Sequence, residues 1–300
     1  MNILITGGTG FIGTALVRHL LERGDTVTVY TRSSDFEDDV GLRYINRLDD
    51  ISASTFYDAF INLAGESIAD GRWTASRKRA LVDSRIGTTE AILALAERLD
   101  RPPTALVSAS AIGYYGPQDD TPLGEDAATV DCFSHQLCVA WESAARRFEA
   151  LGTRVCIVRL GVVLERDGGA FAQLDKSVQM GVKTWLGSGQ QYLSWVHRDD
   201  VIRAIAFLLD GGASGDLSGA FNLTAPEPVT NRGFSEALAN HRSTLVGLPV
   251  PAFVMRIALG ELADELLLTG QRVVPERLEA AGFSFEYRSL DQALRALLAR

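Results

Sequence analysis

The sequence predicts an α/β protein built on a doubly wound parallel sheet, with a smaller C-terminal lobe. Short runs of β-branched and aromatic residues alternate with helical apolar patterns along the first half of the chain. A glycine-rich turn joins the first such run to the first helical pattern. The chain has 300 residues, enough for one large α/β domain with a smaller appendage. Strands that alternate with helices in this way form βαβ units, and hence a parallel sheet.

The first strand and its turn read ILITGGTGFIG, at residues 3–13. Gly7, Gly10 and Gly13 are spaced G-x-x-G-x-x-G, and a helical pattern starts at Phe11. In a dinucleotide site these glycines allow the tight turn, the close approach of the backbone to a pyrophosphate, and close packing of helix on strand. The helix N-terminus adds free N–H groups for the phosphates. We therefore expect a Rossmann-like fold, with Gly7, Gly10, Phe11, Ile12 and Gly13 at the cofactor.

The end of the second strand indicates which dinucleotide is bound. Residues 26–31 (TVTVYT) read as a strand, and Thr31, Arg32, Ser33 and Ser34 stand at its end, with no carboxylate. A carboxylate there would bind the ribose 2′-hydroxyl of NAD, whereas a guanidinium flanked by hydroxyls suits a 2′-phosphate. We predict NADP, with Thr31 and Arg32 as ligands. The alternative is that Arg32 is only a solvated surface residue.

The next strand, residues 59–64 (AFINLA), stops at a glycine. Ligands of doubly wound sheets lie outside the carboxyl ends of the strands, so Leu63, Ala64 and Gly65 are expected to line the cofactor. A long helix is predicted over residues 76–98, and Arg85 near its start is a candidate phosphate ligand. A solvated helix arginine is the alternative interpretation for Arg85.

A further strand, residues 104–108 (TALVS), ends at Ser108, which we also place at the cofactor. It runs into Ser110, Tyr114 and Tyr115, which would therefore lie at the same edge of the sheet. A helical pattern over residues 132–145 and a strand at 154–160 (RVCIVRL) follow.

The rest of the chain is predicted to divide between two units. Residues 1–165, joined again by 190–224, form the NADP-binding Rossmann domain, and residues 166–189 and 225–300 form the smaller substrate or cap lobe. Within it we predict helices over 171–180, from Asn231 to His241, and near 252–268. The final amphipathic helix is more readily a packed cap than a partner-binding element. The loop GSGQQ, residues 187–191, suits a polar ligand, although hinges and plain turns have the same composition.

Several motifs give the chain a resemblance to a known family. They are T-G-x-x-G-x-x-G at residues 6–13, INLAGESI at 61–68, SASAIGYYG at 108–116, RLGVVLERDGGA at 159–170, GSGQQYLSWVHRDD at 187–200 and FNLTAPEPVTN at 221–231. The chain resembles the extended short-chain dehydrogenase/reductase superfamily, the NAD(P)-dependent epimerase/dehydratase group. More narrowly, it is similar to the "epimerase family protein" branch, whose extra C-terminal domain of unknown function is matched at residues 260–285. The resemblance implies that the cofactor is lined by Thr31, Arg32, Leu63, Ala64, Arg85 and Val163.

The catalytic couple that the resemblance implies is missing from this sequence. In the superfamily a Tyr and a Lys stand four residues apart on the helix after the Ser-rich strand, in the pattern Y-x-x-x-K-x-x-x-E, and the phenol moves the proton. With Glu142 as the final Glu, Ser134 stands at the tyrosine position and Cys138 at the lysine position. No other frame restores the couple, because no Tyr lies between Tyr115 and Tyr192.

Substitutes for the couple are available near the same strand end. Ser110 is predicted to orient the substrate oxygen, and Tyr114, Tyr115 or a water to move the proton. A packing role for the two tyrosines remains an equal alternative, and Tyr192 could supply an acid from the substrate side. A metal site or a Cys–His nucleophile among Cys132, His135 and Cys138 is disfavoured, because a fourth ligand and an oxyanion hole are missing. No metal is expected.

Composition restricts the partners and the compartment. The formal net charge of −9 argues against nucleic acid or an anionic membrane, and no apolar run is long enough to span a bilayer. Three cysteines and no signal peptide fit a reduced, cytoplasmic protein. Two hypotheses follow. The first is an NADP-dependent epimerase or oxidoreductase that transfers a hydride to or from a polar carbonyl or sugar-nucleotide-like substrate. The second is a non-catalytic NADP(H)-binding protein that senses redox state or docks a partner.

Overall fold

Seven parallel strands form the central sheet of the protein. The structure, a computed structural model, describes residues 1–166, 168–213, 215–241 and 246–299. Including the short strands that pair outside this sheet, the strands in chain order are β1 (Asn2–Thr6), β2 (Thr26–Tyr30), β3 (Leu42–Ile45), β4 (Ala59–Asn62), β5 (Ala105–Ala111), β6 (Pro122–Leu123), β7 (Arg154–Leu160), β8 (Val162–Glu165), β9 (Val182–Leu186), β10 (Tyr192–Leu193), β11 (Trp195–His197), β12 (Gly219–Leu223), β13 (Val229–Thr230), β14 (Val246–Val250) and β15 (Arg272–Val273).

Helices flank the sheet and build the smaller lobe. They are α1 (Gly13–Glu22), α2 (Ala75–Val82), α3 (Thr88–Arg98), α4 (Phe133–Arg146), α5 (Gly169–Gln179), α6 (Arg198–Leu209), α7 (Asn231–Asn240), α8 (Ala252–Leu259), α9 (Glu276–Ala280) and α10 (Leu290–Ala299). Two π-helical turns, Asp83–Gly87 and Ala263–Leu267, continue α2 and follow α8.

The central sheet has the strand order β12-β7-β5-β4-β1-β2-β3, with every neighbouring pair parallel. The chain runs outward from β1 through β2 to β3, and then returns to the other side of β1 with β4. This reversal places a crevice outside the carboxyl ends of β1 and β4, where such sheets bind ligands. The predicted doubly wound parallel fold is confirmed.

Two apolar layers cover the sheet. On one face α1 and α6 pack against Ile3, Ile5 and Val29, and on the other α3 and α4 pack against Leu4 and Phe60. Side chains that alternate along a strand point to opposite faces, so Leu4 faces the layer opposite to that of Ile3 and Ile5. Strands buried on both faces in this way explain why the sequence shows near-continuous apolar runs.

The smaller lobe has its own core, built around α5, α7 and α10. Phe171, Phe234 and Leu294 are buried there together with Trp195, which the predicted division assigned to the Rossmann domain. The final helix buries one side of its surface in this core, which confirms the prediction of a packed cap. Among the described residues, no helix combines the length and the apolarity needed to cross a membrane.

Several element boundaries differ from the sequence prediction. The long helix over 76–98 is divided by the π-turn Asp83–Gly87, and the helix predicted near 252–268 ends at Leu259. The helix predicted from Asn231 begins there as α7, and the residue that caps it is Thr230. The Thr230 hydroxyl accepts from the Gly233 N–H, and the Asn231 side chain accepts from the Leu186 N–H at the end of β9.

Candidate functional site

The glycine turn leaves no room for side chains at its two outer positions. Gly7 has a φ of 71°, and a Cβ atom there would lie 2.7 Å from the Leu63 carbonyl. A Cβ on Gly13 would lie 2.1 Å from the Gly7 oxygen, and one on Gly10 would lie 3.2 Å from it. Both clashes are with backbone, which cannot move aside. The turn therefore keeps β1, α1 and the end of β4 close together, with an exposed backbone at Gly10.

A buried chain of hydrogen bonds fixes the strand ends beneath this turn. The Thr6 hydroxyl donates to Asn62 Oδ1 at 2.6 Å, and Asn62 Nδ2 donates to Thr89 at 2.8 Å and to Ser108 at 3.3 Å. Ser108 is fully buried. Its hydroxyl therefore links β4 to β5 inside the protein, beneath the surface at which we predicted Ser108 to line the cofactor.

The smaller lobe reaches the glycine turn through Phe11. The Phe11 ring lies against the backbone at 168–169, since a Cβ on Gly168 would be 2.8 Å from it. The Arg198 guanidinium lies over the same ring at 5.3 Å. The Val163 carbonyl lies 3.1 Å from the position of a Cβ on Gly169. Two predicted cofactor residues, Phe11 and Val163, thus lie on either side of the same two glycines, Gly168 and Gly169.

Arg85 is a buried cation without a carboxylate partner among the described residues. It is only 9% exposed, and its Nη atoms donate to the backbone carbonyls of Leu81 and Glu66 at 3.1 and 2.9 Å. Its guanidinium lies 5.2 Å from the Trp141 ring and against Gly65. Burial lowers the pKa of Arg85, because the charged form loses hydration. A buried charge of this kind is stabilised by an anion that binds beside it.

Arg32 lies at the end of β2 with a side chain that is 87% exposed. Its Nη1 is 3.9 Å from the Glu66 carboxylate, and Glu66 also binds Arg77 Nη1 at 2.5 Å. A cavity of about 250 Å³ lies beside this strand end, lined by Ser33, Ser34, Phe36, Arg43, Tyr44, Ile45, Asn46 and Asp50. An exposed guanidinium next to serine hydroxyls is suited to a phosphate.

Ser110 belongs to a buried ion-pair cluster. Its hydroxyl donates to Glu142 Oε1 at 2.8 Å, and Arg159 donates to both oxygens of Glu142 at 2.9 and 3.1 Å. Burial alone would lower the pKa of Arg159, but its hydrogen bonds to Glu142 raise the pKa above the usual value. Arg159 therefore keeps its charge inside the protein, where it is paired with the Glu142 carboxyl group.

The two tyrosines pack around the same arginine. The Tyr115 hydroxyl donates to Asn222 Oδ1 at 2.7 Å and accepts from Arg159 at 3.0 Å, and the residue is fully buried. Burial raises the pKa of Tyr115. The Tyr114 ring lies 3.4 Å from the Arg159 guanidinium and borders a cleft of about 380 Å³ that also contains Arg146 and Arg277. These contacts fit the packing alternative that the sequence left open.

The two positions of the missing couple are both engaged in other interactions. At the N-terminus of α4, Glu265 accepts from the Phe133 and Ser134 N–H groups at 3.1 and 2.9 Å and from the Ser134 hydroxyl at 2.8 Å. Cys138 is buried, and its sulfur lies 3.7 Å from the Ala111 carbonyl. Burial raises the pKa of the Cys138 thiol to about 11, so the thiol is neutral at pH 7.

The remaining candidates lie apart from this region. Tyr192 lies on β10, under the Arg272 guanidinium at 5.2 Å. His135 Nδ1 contacts the Tyr114 carbonyl, and the Cys132 sulfur lies 3.1 Å from the Ser134 hydroxyl. Across the described residues, no group of three or more potential metal ligands is found.

Sequence reasoning missed three charged residues of this region. Glu66 and Arg77 were not connected with Arg32, because the β4–α2 loop that brings them together has no regular pattern. Glu265 was missed because it comes from the C-terminal segment, 131 residues beyond Ser134. The INLAGESI motif was the only signal for Glu66, and nothing in the sequence gives its partners.

Comparison with known proteins places this site in a family. Residues 3–224 match the NAD dependent epimerase/dehydratase family, and residues 250–297 match a domain of unknown function, DUF1731. The chain belongs to the NAD dependent epimerase/dehydratase family, as the resemblance implied. It is 38% identical to the epimerase family protein Mb2239 of Mycobacterium bovis over 293 residues, which is 97% of this chain and 96% of that protein.

Two solved structures extend the comparison. The human epimerase family protein SDR39U1 (isoform2), crystallised with NADPH, is similar with a TM-score of 0.88 and 32% identity, covering 100% of both chains. A nucleoside-diphosphate sugar epimerase from Corynebacterium glutamicum has a TM-score of 0.77 and 27% identity, covering 99% of this chain and 58% of that one. The chain is therefore a Rossmann-fold protein of the NAD(P)-dependent epimerase type.

Proposed function

We propose that this chain is an NADP(H)-dependent enzyme of the epimerase and oxidoreductase type. It would act by hydride transfer on a carbonyl or carbinol carbon of a polar, sugar-nucleotide-like substrate. The observation that carries the proposal is the glycine turn, whose outer glycines leave no room for a Cβ, at the sheet edge that also holds Arg32 and Arg85. The NADPH of the human relative supports the choice of cofactor.

The residues around the turn fit NADP(H). The backbone from Gly10 to Gly13 would hold the diphosphate, because a helix N-terminus presents N–H groups there. Arg32 would hold the 2′-phosphate, and the Ser33 hydroxyl, which donates to Asp35 at 2.9 Å, would join it by turning from Asp35 to the phosphate. Arg85 would supply a second cation for the diphosphate. When bound, NADP(H) supplies or accepts the hydride. Every other function at the site, including orientation of the substrate and movement of the proton, falls to the chain or to water.

On the substrate side, we propose that Ser110 orients the reacting oxygen. Its hydroxyl donates to Glu142, so its oxygen would accept a hydrogen bond from a substrate hydroxyl group. Tyr115 could move a proton only by breaking its bond to Asn222, and Tyr114 borders the cleft beside Arg159. A water molecule is therefore the favoured proton carrier among the three that the sequence proposed.

The cofactor preference is tested by Arg32→Ala. A charge-assisted contact to phosphate contributes about 1.5–3 kcal/mol, so NADPH should bind at least about tenfold more weakly. NADH, which lacks the 2′-phosphate, should change by less than about twofold. Titration of both nucleotides by fluorescence measures this, with exposed Arg295→Ala on α10 as the control. Equal losses for the two nucleotides would contradict the preference for NADP.

A second candidate function is supported by the α4 positions. Ser134 is bound to Glu265, and Cys138 is a neutral buried thiol, so neither supplies the chemistry of the missing couple. These facts favour a non-catalytic NADP(H)-binding protein that senses redox state or docks a partner. Oxidation of NADPH with a panel of carbonyl compounds and sugar nucleotides separates the two functions. Turnover that Ser110→Ala abolishes supports the enzyme, whereas tight binding without turnover across the panel supports the sensor.

A further inference from the structure

Glu66 holds a carboxylate between two arginines at the edge of the proposed cofactor site. One carboxylate oxygen lies 3.9 Å from Arg32 Nη1, and the other lies 2.5 Å from Arg77 Nη1. The Arg32 side chain is 87% exposed, whereas Glu66 and Arg77 are 31% and 22% exposed. Arg32 is thus free to bind a ligand, while Glu66 and Arg77 are held in the protein.

The backbone of Glu66 is anchored on both sides. Its N–H donates to the Ser84 hydroxyl at 3.1 Å, and its carbonyl accepts from Arg85 at 2.9 Å. Arg77 also donates to the Ser67 carbonyl at 2.5 Å. Among the described residues, Glu66 is the acid with which Arg77 forms an ion pair. Because these contacts fix the loop, the carboxylate stays near Arg32 when a nucleotide binds.

A carboxylate in this position acts differently on the two nucleotides. A 2′-phosphate bound to Arg32 carries up to two negative charges and is repelled by Glu66, whereas the 2′-hydroxyl of NADH is not. Arg77 reduces this repulsion, because it neutralises Glu66 from the other side. No acid stands at the end of β2 itself. Asp35 follows three residues after Arg32 and accepts from the Ser33 hydroxyl at 2.9 Å, and the fold brings a second carboxylate, that of Glu66, to Arg32 from the neighbouring loop.

We propose that Glu66 limits how strongly this site prefers NADPH over NADH, and that Arg77 sets how much of the Glu66 charge is felt at Arg32. The proposal rests on the proposed function, in which Arg32 binds the 2′-phosphate. Glu66, which contacts Arg32, and Arg77, which contacts Glu66, would thus determine the nucleotide specificity without touching the reacting atoms.

The test is a double-mutant cycle on nucleotide binding. Dissociation constants for NADPH and NADH are measured by fluorescence titration for the wild type, Glu66→Gln, Arg77→Gln and the double variant. Glu66→Gln should raise the affinity ratio of NADPH to NADH about threefold, the size expected for a charge that solvent partly screens. Arg77→Gln should lower the ratio by a similar factor. In the Glu66→Gln background, Arg77→Gln should change it by less than about 1.5-fold.

A charge-matched control separates a local effect from one of net charge. Glu90 is exposed and pairs with Arg147 on α3, so Glu90→Gln removes the same charge and should leave the ratio unchanged. High salt should reduce the effect of Glu66→Gln, because exposed charges are screened. An NADH affinity close to that of the wild type shows that the site of a variant is intact. Arg77→Lys keeps the positive charge and should therefore preserve the wild-type ratio of NADPH to NADH affinity.

Two results would overturn the proposal. One is a Glu66→Gln variant whose ratio is unchanged or lower than that of the wild type. The other is an Arg77→Gln effect that persists undiminished without Glu66, since Arg77 would then act directly on the nucleotide. Failure of the proposed NADP preference is distinguishable, because it appears in the wild type as a preference for NADH. A shift of that ratio toward NADPH in Glu66→Gln would still support the role of Glu66.

Discussion

Glu142 and Arg159 form an ion pair whose side chains are only 6% and 4% exposed. Removing one partner of such a pair leaves an unpaired charge in the interior. Glu142→Ala should therefore lower the free energy of unfolding by about 3–5 kcal/mol. Denaturant unfolding measures this loss. The residue also holds Ser110, so the same variant should disturb the proposed substrate side of the site.

The exposed pair of Glu90 and Arg147 gives a matched comparison. Its side chains are 55% and 56% exposed, and its closest atoms are 3.4 Å apart. Glu90→Ala should change the free energy of unfolding by less than about 0.5 kcal/mol. If Glu142→Ala and Glu90→Ala lowered the free energy of unfolding by similar amounts, burial would not determine how much the Glu142–Arg159 pair contributes to stability.

Individual residues differ in how far the sequence predicted them. Gly7 and Gly13 were predictable, because the backbone contacts that forbid a side chain arise within one strand, one turn and one helix. Arg85 was predicted as an anion ligand. The sequence of its helix did not predict that the residue is buried without a carboxylate partner among the described residues. Tyr114 and Tyr115 show the opposite case, since their position near Arg159 depends on strands β5 and β7 being neighbours.

The N-terminus of α4 depends on a carboxylate from the C-terminal segment. The hydrogen bonds from Ser134 and Phe133 outweigh the effect of burial and lower the pKa of Glu265 below its usual value of 4.5. A group whose pKa is lowered by folding stabilises the protein above its unfolded pKa, and this contribution is lost as the pH falls through the folded pKa. Glu265→Gln should therefore destabilise the protein at pH 7, by about 1 kcal/mol as for a lost helix cap.

The pH dependence provides the check on this capping role. The difference in unfolding free energy between wild type and Glu265→Gln should be constant from about pH 7 to pH 5 and shrink below about pH 4.5. The neighbouring Glu261, 44% exposed and paired with Lys78, is the control, and Glu261→Gln should have a smaller effect. A difference for Glu265→Gln that grows on acidification would contradict the direction of the pKa shift.

The elements show where a local pattern was sufficient and where it was not. Strand β7 and the final helix follow the predicted patterns closely, because each has a regular apolar period. Strand β3 was missed, since it is a four-residue edge strand with the polar Arg43 in it. The π-turn Asp83–Gly87 was also missed, because it interrupts a helix without any change in composition.

At the scale of the whole molecule, cofactor binding should couple to stability. The proposed site joins β1, β2, β4 and the smaller lobe through Phe11, so it is formed only in the folded chain. NADPH at about 100 times its dissociation constant should add about 2.7 kcal/mol, which raises the melting temperature by a few degrees for a chain of this size. Differential scanning fluorimetry measures the shift.

The same experiment compares the nucleotides at equal concentration. NADH should give a smaller shift than NADPH, and Arg32→Ala should remove most of the difference between them. No shift with either nucleotide, at concentrations up to millimolar, would contradict a dinucleotide site in this chain.

The sequence by itself determined the parallel α/β fold, the glycine turn and the absence of the Tyr–Lys couple. Each of these depends on residues that are close along the chain, where periodicity and spacing carry the physical information. The tertiary structure alone decided which charges meet. Glu66 lies beside Arg32, Glu265 caps α4, and Arg159 joins Glu142 to Tyr115. These contacts connect residues 17 to 131 positions apart, and only the strand order and the docking of the C-terminal segment bring them together.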